Sequence, residues 1–96
     1  MNDMTEISPA SRIKLNDDVL FQELQGDAVL LDLKTGVYFG LDRVGTRMWH
    51  LMGEHKMISD VVRAVTEEFD VPEQRCADDV VAFVKRLNEQ GLIAIE

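Results

Sequence analysis

The sequence holds one cysteine, two prolines and two histidines, and each scarcity excludes something. A lone Cys76 forms no internal disulfide, which suits a reducing compartment. It has no CxxC partner, and His50 and His55 complete no metal-ligand pattern with it, so no metal site is expected. No apolar run approaches the roughly 18 residues that cross a bilayer. The polar, acidic start from Met1 to Pro9 lacks the basic patch and apolar stretch of a secretory signal. The expected compartment is the cytoplasm, with no membrane partner. Positive charge is scarce as well: ten Lys and Arg stand against eighteen Asp and Glu, a net charge of −8. Nucleic-acid affinity rests mainly on Lys and Arg, and here they are scattered, so nucleic acid is not an expected partner. Nucleophile elbow, P-loop and GxGxxG are all missing. The carboxylates Glu67, Glu68, Glu73, Asp78 and Asp79 read as a solvated surface rather than an acid–base pair, which would need a pocket. Neither catalysis nor a cofactor is expected.

What is present fits one soluble domain. The chain has 96 residues, 46% hydrophobic and 29% charged. Residues 1–14 read as a flexible tail and 15–96 as the domain. Residues 19–24, VLFQEL, look like a strand. Gln25-Gly26-Asp27 is a turn signal, and 28–33, AVLLDL, is a second apolar run that Asp32 breaks. Lys34-Thr35-Gly36 is the next tight turn, followed by the aromatic strand 37–41, VYFGL. Turns this short make neighbouring strands antiparallel, so the three form a meander with the third at an edge.

Asp42 is a good N-cap for a helix to about His55. Ser59 is the expected cap of a second helix, which Asp70-Val71-Pro72 ends. A third opens near Pro72 and closes at Gly91. Leu92 to Ile95 form a last strand or a lid. Strands followed by helices indicate an α+β fold. A three-stranded antiparallel meander followed by three helices matches a winged helix-turn-helix. Trp49, Met48 and Met52 read as core, Met57 as a gap-filler, and Cys76 as a small buried hydrophobe.

Two stretches now resemble a known family. Leu30 to Met52, LLDLKTGVYFGLDRVGTRMWHLM, has a glycine turn, an aromatic strand ending in Leu, an Asp cap, then Gly and a Trp-containing helix. Asp79 to Ile93, DVVAFVKRLNEQGLI, looks like the closing helix of the same family. The family is that of coenzyme PQQ synthesis protein D, and the resemblance covers roughly residues 15 to 95. It implies a non-catalytic winged-helix adaptor that binds the leader of a ribosomally made precursor peptide. The adaptor then presents that leader to a modifying enzyme such as a leader peptidase or a radical enzyme. The glycine turn and aromatic strand look closer to the discrete adaptors of lasso-peptide pathways than to the protein serving PQQ itself.

The residues supply a binding mode of their own. An edge strand offers unpaired N–H and C=O groups, to which an extended peptide adds by main-chain hydrogen bonds. The third strand carries no Lys or Pro to blunt it. Alternation places Val37, Phe39 and Leu41 on the core side and Tyr38 and Gly40 outside. On the third helix, Cys76, Val80, Val84 and Leu87 share the core face. Gln74, Ala77, Val81, Lys85 and Asn88 form one shoulder, and Phe83 lies on the other. Which shoulder faces the third strand is open in the sequence. The expected groove is Val37, Tyr38, Phe39, Gly40 and Leu41 against Gln74, Ala77, Val81 and Lys85. Without peptide, the bare edge lets two copies pair as a homodimer. Two other functions compete. A DNA-binding regulator needs a basic recognition helix, whereas the third helix mixes Arg75, Lys85 and Arg86 with Glu73, Asp78, Asp79 and Glu89. A structural subunit of a larger enzyme would bind protein tightly and short peptides not at all.

Overall fold

The alternating and helical apolar patterns find their partner surfaces in the computed structural model, which describes residues 7–96. The element order is β1 (Ile13–Leu15), β2 (Val19–Leu24), β3 (Asp27–Asp32), β4 (Tyr38–Leu41), α1 (Arg43–Glu54), α2 (Ile58–Phe69), α3 (Glu73–Glu89) and β5 (Ile93–Ile95). The chain is thus α+β, with an antiparallel sheet ordered β2-β3-β4 and three helices after it. A second small sheet pairs β1 with β5, so Leu92 to Ile95 end in a strand rather than a loose lid.

The register explains the two sheet faces. Phe21, Leu30 and Phe39 stand in one row, and Leu20, Leu31 and Tyr38 in the next. The first row turns towards the helices, with Leu30 fully buried. The second turns outwards, where Leu20, Leu24, Val29 and Tyr38 are exposed. A positive φ of 80° at Gly36 closes the turn into β4, a conformation that costs glycine nothing. The helices bury Met48, Trp49, Leu51 and Met52 from α1, Val61, Val62 and Val65 from α2, and Cys76, Val80, Val84 and Leu87 from α3. Met57, outside the helices, is half-buried.

Two expectations change. The tail does not extend to residue 14: Ile13 is 1% exposed and sits in β1 opposite Ile95. An apolar residue there lowers free energy by leaving water, and β5 supplies the main-chain partners. Met1 to Glu6 lie outside the described residues. Ser59 is not the cap of α2, whose N-cap is Met57, without a side-chain bond. The N–H groups of Ile58 and Ser59 instead donate to the carbonyls of Ser11 (3.1 Å) and Pro9 (2.8 Å). The N-terminal arm therefore satisfies donors that a side chain usually takes. Asp32 interrupts the apolar run as expected: it ends β3 as a buried carboxylate, accepting from the N–H of Lys34 at 2.9 Å, the N–H of Thr35 at 3.3 Å and Asn16 Nδ2 at 3.4 Å.

Candidate functional site

β4 is an edge, since β3 occupies only one of its sides. The N–H of Asp32 donates to the carbonyl of Val37 at 2.8 Å. This marks that pair as hydrogen-bonded, and antiparallel ladders alternate bonded with non-bonded pairs. With the observed register, Phe39 and Leu41 spend their main-chain groups on Leu30 and Ala28. Tyr38 and Gly40 therefore direct their N–H and C=O groups away from β3, towards the open side. Tyr38 is 73% exposed. Nothing lies within 4 Å of where a side chain on Gly40 would begin.

Across that open side runs α3. Between them lies a cleft of about 470 Å³. Phe39, Gly40, Leu41 and Asp42 form its strand wall, and Asp79, Ala82, Phe83 and Arg86 its helix wall. Val44, Gly45 and Met48 of α1 form the floor. Sequence places α1 here: Asp42 follows β4 directly and its Oδ1 accepts the N–H of Gly45 at 2.8 Å, starting the helix under the strand end. A side chain at Gly45 would begin 3.3 Å from Asp42 Oδ1, 3.5 Å from Leu41 Cδ2 and 3.6 Å from Phe83 Cε1. The missing side chain lets strand end, α1 and α3 meet. Arg86 lies over the Phe39 ring, its Cζ 5.4 Å from the centroid.

The structure brings Phe39, Gly40 and Leu41 into this cleft, with Tyr38 beside them on the outer face and Val37 half-buried in the preceding turn. Gln74, Ala77, Val81 and Lys85 are not brought there. They line a separate depression with Ile7, Ser8 and Pro9 of the N-terminal arm. Opposite β4 is the other shoulder, that of Phe83. The reason is packing: Cys76, Val80, Val84 and Leu87 must all face the core, and that stripe alone does not fix which of its two flanks meets the sheet. Asp79, Ala82 and Arg86 were missed; the helical spacing of Phe83 with Asp79 and Arg86 is the signal that grouped them.

Chemically the cleft is a trough of mixed character, with the apolar side chains of Phe39, Leu41, Val44, Met48 and Phe83 beside an open main-chain edge, one cation and two carboxylates. Among the described residues no cluster of His, Cys, Asp and Glu could hold a metal ion. His50 stands apart from it, its Nε2 3.3 Å from Glu23 Oε1.

Comparison with known proteins places the fold and the family. No curated protein matches the chain. Two solved structures do. TbiB1, solved in complex with the TbiA(beta) leader peptide, is 36% identical, with a TM-score of 0.77 over 83% of this chain and 93% of that one. A lasso peptide synthetase B1 complexed with the leader peptide is 25% identical, with a TM-score of 0.73 over 86% of this chain and 98% of that one. The family model for coenzyme PQQ synthesis protein D matches residues 27–93, which include β3, β4, the three helices and the residues of the cleft between β4 and α3. The chain belongs to the family of coenzyme PQQ synthesis protein D.

Proposed function

We propose that this protein is a non-catalytic adaptor that captures the leader of a ribosomally made precursor peptide and presents it to a modifying enzyme. One observation carries the reading: Tyr38 and Gly40 hold unpaired main-chain groups at the mouth of a cleft with apolar anchors, walled by α3. An extended leader segment adds there as a further strand, bonding to those two residues. Its alternate side chains drop between Phe39, Leu41, Val44, Met48 and Phe83. Disorder in the free leader makes binding an ordering step, so main-chain bonds and a few apolar anchors must offset lost conformational entropy. The neighbours of this fold are described as bound to leader peptides, which supports the same use here. A leader peptidase or radical enzyme then meets a tethered substrate at raised effective concentration. The arrangement is of the winged helix-turn-helix type, and the cytoplasm is its proposed compartment. A helix long and apolar enough to cross a membrane does not occur among the described residues.

The test is an NMR titration of the labelled chain with a synthetic leader from its precursor. Saturable amide shifts are expected at Tyr38 and Gly40 and along Asp79 to Arg86. Shifts confined to Gln74, Ala77, Val81 and Lys85 would move the site to the other shoulder. No shift at leader concentrations well above micromolar would end the adaptor reading for that peptide.

A further inference from the structure

The cleft is not electrically uniform. Arg86 stands at the Phe39 end, its guanidinium over the ring. Phe83, one turn earlier on α3, meets Leu41 and Asp42 around Gly45. Asp79, a further turn back, therefore lies beyond Leu41, at the same end as Asp42. Contacts thus run in opposite order along β4 and α3. Neither Asp79 nor Arg86 joins an ion pair among the described residues, although the chain has far more acid than base to offer Arg86. Both line the trough.

We infer that the cleft selects its peptide by charge order, with Arg86 and Asp79 as the specificity-determining residues; this rests on the strand-addition reading above. The occupant is an extended segment with an apolar centre. It carries an acidic side chain at the Arg86 end and a basic side chain at the Asp42 and Asp79 end. Arg86 and Asp79 are two turns apart, ~10.5 Å at the helical rise. Guest residues on one strand face lie ~7 Å (two apart) or ~14 Å (four apart) from each other. A same-face acidic and basic pair therefore brackets that separation, and the long charged side chains close the difference. Guanidinium meets carboxylate in a planar, two-point geometry, and stacking on Phe39 limits the freedom that Arg86 gives up. Asp79 and Asp42 attract a Lys or Arg and repel an acidic residue. The same two sites set direction: a guest antiparallel to β4 presents its basic residue before its acidic one, and a parallel guest presents them in reverse.

The experiment measures binding of the synthetic leader, and of charge-swapped versions of it, to the full chain by fluorescence anisotropy. Arg86→Glu is expected to weaken the leader about tenfold at low salt, as loss and reversal of a partly exposed charge pair does. Changing the leader's acidic residue to Lys is expected to restore binding to that variant. Asp79→Lys should respond in the same way to reversal of the leader's basic residue. Arg86→Gln, which keeps the stem on Phe39, should give a smaller loss, and unchanged melting curves are expected for these exposed substitutions. If Gly40→Pro abolishes binding while Arg86→Glu and Asp79→Lys bind as the parent does, charge selection is overturned and strand addition stands. If the parent chain itself binds no leader, both readings fall. A leader whose protected segment holds no acidic residue overturns the inference as well.

Discussion

Asp32 is a polar residue in an otherwise apolar run, and its burial at 4% exposure is explained by the donors around it. Its Oδ1 gathers the N–H groups of Lys34 and Thr35, while Oδ2 takes Asn16. These bonds shape the turn that launches β4. Asp32→Ala leaves those donors without their acceptor and is expected to cost about 1–3 kcal/mol, read from urea unfolding. Gly40 is the opposite case. Its N–H faces the open edge, so the ladder to β3 does not use it. Gly40→Pro should leave stability within about 1 kcal/mol, because edge strands tolerate proline where the N–H points to solvent, yet abolish leader binding by removing a donor. Equal loss of melting temperature and binding would refute that assignment. Period-two alternation alone placed Tyr38 outside and Leu41 inside, since successive strand side chains must oppose. The role of Asp32 was not legible, because its partners are main-chain groups created by the turn itself and a side chain, Asn16, in a separate loop.

At the level of elements, helix starts divide into those written locally and those supplied from afar. Asp42 caps α1 through its own side chain, and Asp42→Ala is expected to cost about 0.5–2 kcal/mol. Ser59→Ala should cost less than about 0.5 kcal/mol, as for a residue that is not a cap. Denaturation of the two variants side by side checks the contrast. The sequence pointed to Ser59 because Ser is a favoured cap, but Pro9 and Ser11 reach the α2 donors first. A comparable long-range link joins α1 to α2: Arg47 Nε donates to both Glu68 oxygens, at 2.9 and 2.7 Å. This hydrogen bonding is the main cause that holds the Arg47 pKa above its ordinary value. On α3 the core stripe was readable from spacing. The binding shoulder was not, because both flanks of that stripe present small apolar and charged residues.

Across the whole molecule, the N-terminal arm is part of the domain. Ile13 packs into the core opposite β5, and Ile13→Ala is expected to lower stability by about 2–5 kcal/mol, the range for truncating a buried aliphatic. A neutral result in thermal unfolding would restore the loose-tail reading. The bare β4 edge also bears on assembly. Two copies pairing through β4 would use the same main-chain groups as the leader. Self-association is therefore expected without peptide and should reverse on adding leader, as sedimentation velocity would show; association unaffected by leader would place the contact elsewhere.

By itself the sequence determined the α+β class, the order of the three meander strands and the three helices, the edge position of β4 and the core face of α3. Each follows from local rules: turn residues, strand alternation, helical period and the cap at Asp42. Only the tertiary structure decided that α3 turns Asp79, Ala82, Phe83 and Arg86 towards that edge, and that the N-terminal arm closes both α2 and β5. These outcomes depend on how separate elements pack, and the packing angle is set by side-chain volumes summed over the whole core.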